Sequence, residues 1–360
     1  MLVTVTGGTG FVGSHTVAEL VRAGHRVRLL VRDAGAVDTA TRPLEVPPDA
    51  LDVVVGDVTD ERSVAAAVRG ADAVVHAASV YSFDRRKRAE MLRTNAHGTE
   101  VVLSAARRAG AGRIVHVSSI AALFTPGVRV IREQSPVGTT REPYAATKAA
   151  SEAIARRHQE EGAPVVVSYP PALLGPHDPK LGDQVERLRN TLRGIMPMWP
   201  AGGLQIGDVR DTAALHVALL SPDVPGPDPA GQQSEGLHSE GRQSDGQHSV
   251  GRHFGPGRYL SMREYLDGVR EATGRALPAV FLPPAMMTPV GRLVDLVQPA
   301  WPWHIPAEYG AIATVGAAVR VDPAASTLDL KPRPFADTVT DTVRWLADTG
   351  AVTDRQAGRR

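Results

Sequence analysis

The most constraining feature of the chain lies at its start. An apolar run, Leu2–Thr6, leads directly into Thr6-Gly7-Gly8-Thr9-Gly10-Phe11-Val12-Gly13. A segment with apolar residues at helical spacing (Val17, Leu20, Val21) follows and ends at Gly24. Gly7, Gly10 and Gly13 therefore form G-x-x-G-x-x-G between a strand and a helix. One glycine serves the sharp turn, one lets backbone N–H groups approach a pyrophosphate, and one lets helix and strand pack closely. The free amides and the positive helix end then hold phosphates. A glycine triplet alone is weak; its place between strand and helix, opening a βαβ unit, gives it weight.

The alternation continues. Strands are expected at Arg26–Val31, Leu51–Val55, Ala73–His76, Arg113–Val117 and Val165–Tyr169, with helices over Asp60–Arg69, Asn95–Ala109 and Pro143–Gln159. Strand–helix alternation at this spacing implies right-handed crossovers and a parallel sheet covered on both faces. The strands are continuous apolar runs, as doubly buried strands should be. The predicted fold class is α/β, a Rossmann-type doubly wound parallel sheet with a smaller C-terminal substrate-binding region. Residues 1–170 form the dinucleotide-binding core, and 171–222 with 258–350 the substrate-binding region, with helices near Met262–Ala272 and Phe335–Asp348. Residues 223–257 carry a polar pentad repeat (QSEGL, HSEGR, QSDGQ, HSVGR) with too little apolar surface to offset ordering entropy. This stretch is expected to be a disordered insertion, and 351–360 a flexible tail. His238, His248 and His253 could bind a metal, but a flexible spacer with incidental histidines explains them as well, and no metal site is expected.

Composition removes whole classes. Lys+Arg 40 against Asp+Glu 39 leaves a net charge of +1, which argues against a nucleic-acid or polybasic membrane binder. With no cysteine there are no disulfides, thiolate catalysts or Fe–S clusters. No apolar stretch approaches the roughly 18 residues of a membrane span. The first residues already read as a strand, so a cytoplasmic protein is expected.

Two further signals concern chemistry. Strand two ends in Val31-Arg32-Asp33. Arg32 offers a planar donor fork suited to the 2′-phosphate of NADP(H), whereas Asp33 leaves NAD(H) possible through the ribose 2′-OH. Asp57, after strand three, could accept from an adenine amino group or cap a helix. Tyr144-Ala145-Ala146-Thr147-Lys148 is Y-x-x-x-K, which puts phenol and ammonium on one helix face. A cationic Lys148 is expected to lower the Tyr144 pKa and make it a general acid or base. Strand Arg113–Val117 ends in Ser118-Ser119, where open α/β sheets place ligands; either serine could polarise a carbonyl, with Ser119 preferred over Ser118. Met286-Met287 and Trp301-Pro302-Trp303 could wall an apolar pocket or belong to a core. Tyr81 and Phe83 could touch substrate, and the run Arg85-Arg86-Lys87-Arg88 could meet an anionic group or be a solvated helix face.

With these residues in place the chain resembles an extended short-chain dehydrogenase/reductase of the NAD-dependent epimerase/dehydratase superfamily. The motifs are TGGTGFVGSH, GDVTD at 56–60, VVHAAS at 74–79, VSS at 117–119, YAATKAASE at 144–152 and YPPALLGP at 169–176. DVRDTA at 208–213 with His216, and KPRPFADTVTDTVRWL, resemble the dihydroflavonol-4-reductase-like branch. The resemblance implies that Gly7, Gly10, Phe11, Val12 and Gly13 line a pyrophosphate, that Arg32 favours NADP, that Asp57 and Val58 border the adenine, that Ala77 and Ala78 flank the nicotinamide, and that Pro170 packs near it. It implies a catalytic trio of Ser119, Tyr144 and Lys148, with Tyr144 and Lys148 also touching the cofactor, and Asn95 steadying the active-site helix. It also implies a homodimer built partly on the Tyr144 helix.

Departures from the pattern matter. The usual Arg-Pro is Tyr169-Pro170, an aromatic-glycine pair is replaced by Ala122-Leu123-Phe124, and Ile120-Ala121 replaces the Asp-Glu pair of the dehydratases. The expected activity is thus NADPH-dependent reduction or dehydrogenation at a carbonyl or alcohol of a small apolar substrate. The alternatives are a sugar-nucleotide epimerase, a hydroxysteroid-type dehydrogenase, or, more distantly, a non-catalytic NADP sensor.

Overall fold

The computed structural model describes residues 1–81, 88–140, 142–224, 251–297, 309–325 and 327–358. Seven parallel strands form the main sheet: β1 (Leu2–Thr6), β2 (Arg26–Val31), β3 (Leu51–Val55), β4 (Ala73–His76), β5 (Arg113–Val117), β6 (Val165–Tyr169) and β7 (Arg252–Phe254). Their order is β7-β6-β5-β4-β1-β2-β3. It reverses between β1 and β4, so a crevice opens past the carboxyl ends of those strands.

Alternate side chains feed two cores. Val74, Ile114, Val165 and Val167 face one side, with Val64 and Val68 of α2 (Glu61–Val68) and Val101, Val102 and Leu103 of α3 (Gly98–Arg108). Val3, Val5, Val75, Val115 and Val166 face the other, with Val17 and Leu20 of α1 (Phe11–Arg22) and Leu215 of the later helix Val209–Ala218. Period-two alternation along β1, β4, β5 and β6, with both faces covered, explains their continuous apolar runs, whereas the edge strand β3 leaves Val53 and Val55 exposed.

A third core, separate from the main sheet, lies in the C-terminal part of the chain, where a substrate-binding region is expected. Trp199, Leu188, Tyr265, Val339 and Leu346 are buried together there. The remaining helices divide: α4 (Pro143–Glu160) and α6 (Val209–Ala218) feed the two sheet cores, α5 (Asp183–Leu192), α7 (Met262–Thr273), α9 (Tyr309–Ala317) and α10 (Phe335–Asp348) feed this third one, and α8 (Pro284–Val297) packs on α9. The expected helices agree within a few residues. One differs in kind: the segment expected to begin at Asn95 is already helical from Arg88, and Leu92–His97 is a π-turn that widens the backbone around Asn95 before α3.

Two boundaries need correction. The expected insertion 223–257 is too long at its C-terminal end. Residues 225–250 lie outside the described residues, with His238 and His248, but β7 is the edge strand of the sheet, pairing in parallel with β6. It was illegible because only Phe254 of its three residues is apolar; Phe254 packs on Tyr169 with ring centroids 5.0 Å apart. His253 is buried in this strand, and burial takes its pKa down to about 4. The expected tail 351–360 is structured to residue 358. Asp354–Ala357 is a helical turn with a Thr353/Gln356 capping box, and Val352 and Ala357 are buried.

The interior holds several neutral imidazoles. His76 and His116, on β4 and β5, stack at 5.6 Å, and His216 bonds Thr16 and Ser168. Burial depresses all three, His116 and His216 to about 3. Their folded pKa values lie below the unfolded value, so the unfolded chain binds more protons between the two. The stability they contribute is complete above about pH 6.5 and is lost as pH falls toward the folded values, at about 1.36 kcal/mol per unit and group. The urea midpoint is therefore expected to drop between pH 8 and pH 5. His116→Leu should flatten that drop, because among the described residues neither ring nitrogen of His116 has a hydrogen-bond partner; an unchanged slope would contradict this account.

Candidate active site

A cleft of about 1020 Å³ runs along the carboxyl ends of β1, β4 and β5. The glycine turn forms its floor. Gly7 has φ +76°, and a Cβ there would stand 2.6 Å from the Ala78 nitrogen; a Cβ on Gly13 would stand 2.0 Å from the Gly7 carbonyl oxygen. Gly10 differs: its Cβ would meet only the Gly7 oxygen, at 3.3 Å. Two glycines thus pack the turn and one leaves room above it. Helix α1 starts here with no side-chain cap and no acidic residue in its first turn. Its first N–H groups are open to an anionic ligand, and the space over Gly10 fits a pyrophosphate.

The structure brings Gly7, Gly10, Phe11, Val12, Gly13, Arg32, Ala77, Ser119, Tyr144, Lys148 and Pro170 to this one cleft. Asp57, Val58 and Ala78 do not line it. Ala78 is set back against Gly7, its N–H donating to Thr6 Oγ1 at 3.3 Å. Val58 is buried against Gly98 of α3. Asp57 Oδ1 accepts from both the amide and the hydroxyl of Thr59 at 2.8 Å. These bonds, with nearby Arg32 and Arg93, outweigh burial and hold its carboxyl below the usual range. The helix cap is Asp60 instead. At the end of β2, Arg32 reaches the cleft, while Asp33 Oδ1 is turned back to accept from Gly35 N at 2.8 Å.

Helix α4 begins sharply. Pro143 occupies its first position, and Glu142 caps it by accepting from Tyr144 N (3.0 Å) and Ala145 N (2.7 Å). This start aims Tyr144 into the cleft, with Lys148 one turn on. The two serines separate in role. Ser118 is buried and its hydroxyl has no partner among the described residues, whereas Ser119 accepts from Ala121 N at 3.2 Å and stands near enough to the Tyr144 hydroxyl to lower its proton affinity. Asn95 pins α4 from the side. Its Nδ2 donates to Thr147 Oγ1 (3.0 Å) and Val80 O (2.9 Å), and its Oδ1 accepts from Val80 N (2.7 Å).

The electrostatics differ from expectation. Burial pushes the Tyr144 phenol up, nearby Ser119 opposes it, and Glu142 and Asp183 add to the rise. Lys148 does not draw it down toward neutrality: its Nζ is turned to Val117 O at 3.4 Å. Burial brings Lys148 itself down to about 8, against the pull of Glu152 one turn away. The phenol is therefore a protonated donor at neutral pH.

The expected apolar wall is also replaced. Met286 is exposed and Met287 buried on α8, neither lining the cleft. Trp301 and Trp303 lie outside the described residues, as do Phe83 and Arg85–Lys87. Small residues of α9 (Ala311, Ala313, Thr314, Gly316) form that side. Tyr81 does line the cleft, and so does Asp183, which no motif marked; its only signal was an acidic residue at a helix start. Among the described residues no cluster of His, Asp or Glu is placed to hold a metal, and no helix is long and apolar enough to cross a membrane.

The profile of the NAD dependent epimerase/dehydratase family matches residues 3–228. A Synechocystis sp. protein provisionally named dihydroflavonol 4-reductase is 35% identical over 216 residues, 59% of this chain and 61% of that protein. The sterol demethylase protein B of Methylococcus capsulatus is 27% identical over 98% of this chain and 100% of its own length. Among solved structures, the crystal structure of gox2253 superposes with a TM-score of 0.75 at 26% identity, covering 98% of this chain and 99% of that one.

Proposed function

The chain belongs to the NAD dependent epimerase/dehydratase family, as an NAD(P)-dependent oxidoreductase of the extended short-chain type, and from this we propose a cytoplasmic NADPH-dependent reductase of small apolar carbonyl compounds. The observation that carries the reading is the meeting of Ser119, Tyr144 and Lys148 on one wall of a cleft floored by an uncapped glycine-rich helix start. A bound dihydronicotinamide supplies the hydride. Every other part of the reaction falls to the chain. The helix start and Arg32 hold the phosphates, Arg32 the 2′-phosphate. Because Ser119 Oγ accepts from Ala121 N, its proton is left to donate to the substrate's carbonyl oxygen. Tyr144, kept protonated by burial, donates beside it and gives up its proton as the oxygen gains charge. Lys148 still carries its proton at neutral pH and, with its Nζ turned to Val117 O rather than to the phenol, would hold the nicotinamide ribose. Asn95 keeps α4 in register with this geometry. Asp57 and Val58 would serve the adenine end only from behind the cleft wall.

Arg32 gives a direct test of cofactor choice. Arg32→Ala is expected to raise KM for NADPH by about ten- to a hundredfold, the worth of a charge-assisted fork. KM for NADH should stay within about twofold. Equal effects on both cofactors would remove Arg32 from the 2′-phosphate. The activity itself is tested by following NADPH oxidation across aldehydes, ketones and nucleotide sugars. Turnover confined to nucleotide sugars, without net NADPH consumption, would replace the proposal with an epimerase. A second reading, a dehydrogenase of hydroxysteroid-like alcohols, is favoured by the full-length likeness to a sterol demethylase protein; a sterol or steroid alcohol with NADP+ belongs in the same screen.

A further inference from the structure

We propose that Tyr81 and Asp183 form a clasp that joins the two halves of the protein across the cleft and positions Tyr144 for proton transfer. The inference rests on the reductase reading above and adds two positioning residues to it. Tyr81 follows β4, in the nucleotide-binding half. Asp183 opens α5, whose Val185, Leu188 and Leu192 belong to the core of the substrate-binding half. The Tyr81 hydroxyl donates to Asp183 Oδ2 at 2.7 Å, a bond between residues 102 apart in sequence. The Tyr81 ring meets the Tyr144 ring edge-on, with centroids 4.4 Å apart and planes at 72°. One side chain therefore touches the reacting phenol with its ring and the opposite lobe with its hydroxyl.

Each end of the clasp is held. The backbone at Val80 is fixed on both sides by Asn95, which also bonds α4. The loop before α5 is fixed by Asp178, a buried carboxylate accepting from Lys180 N (3.0 Å) and Gly182 N (2.8 Å). Asp183 is thus presented by a built loop, and its bond to Tyr81 spans the cleft beside the phenol. The groups around that phenol are Ser119 after β5, Glu142 and Lys148 on its own helix, Tyr81 after β4 and Asp183 on α5. Asp183 supplies negative charge from the facing lobe. It favours the protonated phenol, as Glu142 does, and Ser119 opposes both. The clasp accordingly has a steric part, which limits where the Tyr144 ring can sit, and an electrostatic part, which keeps its proton on until an oxygen is there to take it.

A double-mutant cycle with a pH profile tests both parts. Tyr81→Phe keeps the ring and removes the bond, and Asp183→Ala removes its acceptor. Each is expected to lower kcat for NADPH-dependent carbonyl reduction about tenfold, the worth of a hydrogen bond to a charged group. KM for NADPH should change by less than about twofold. The double variant should be no worse than either single one. Asp183→Asn keeps an acceptor but not the charge. It should restore most of kcat while moving the alkaline limb of log kcat to lower pH. Losses that multiply to about a hundredfold in the double variant, or an alkaline limb that does not move in Asp183→Asn, would overturn the proposal. The same cycle read in urea midpoints is independent of turnover. Non-additive midpoints in a protein that reduces no carbonyl would leave the clasp standing and discard the reductase; additive midpoints and additive rates would discard the clasp.

Discussion

Replacing Tyr144 with Phe is expected to lower kcat by about 10²–10⁴-fold, the usual contribution of a positioned general acid. The substitution removes one oxygen and leaves the ring where it is, against Tyr81. The α4 cap is made by backbone N–H groups to Glu142, so the helix should keep its start. NADPH affinity, followed by quenching of tryptophan fluorescence, should stay within about twofold. Turnover within tenfold of the parent would mean that the proton comes from elsewhere, and the proposed chemistry would fall with it.

The second large effect concerns Gly13, where even a methyl group has no room. Its Cβ would stand 2.0 Å from the Gly7 carbonyl oxygen and 2.7 Å from the Gly7 carbonyl carbon. Both neighbours are backbone, so no side chain can yield. Gly13→Ala must push α1 away from the turn, at a cost near or above the usual overpacking range of about 1–3 kcal/mol. Tm should fall by roughly 2–5 °C, and NADPH affinity by more than about a hundredfold as the N–H groups lose their aim. Gly10→Ala is the informative contrast. Its Cβ would meet only one atom, at 3.3 Å, so the fold should survive while the new methyl group intrudes on the phosphate space. Matching Tm losses in the two variants would show that the glycine roles are assigned wrongly.

Much of the site was legible because it is local. The glycine turn, the paired Tyr144 and Lys148, and the serines after β5 each lie on one element or its end, and period and spacing fix them there. Arg32 and Asp33 show the limit of that reading. Adjacent in sequence, both could have met a ribose; a turn in which Asp33 accepts from Gly35 N separates them. Strand β7 was missed for a related reason: three residues with one buried aromatic carry no period, and only the exposed edge of β6 makes them a strand.

The sequence by itself determined six of the seven strands of the sheet, its two covers and the ends of strands at which a ligand would lie, since alternating burial and the glycine turn are properties of short segments. The tertiary structure alone decided which serine meets the phenol, that α9 and not the Met286-Met287 pair walls the cleft, and that Asp183 bonds Tyr81 from the opposite lobe. It also reversed the sign expected for Tyr144. The i,i+4 spacing puts an ammonium on the same face, but the phenol's proton affinity is set by its loss of water and by carboxylates from its own cap and from α5. Desolvation and through-space charge depend on what packs around a group, and that is not a property of its neighbours in the chain.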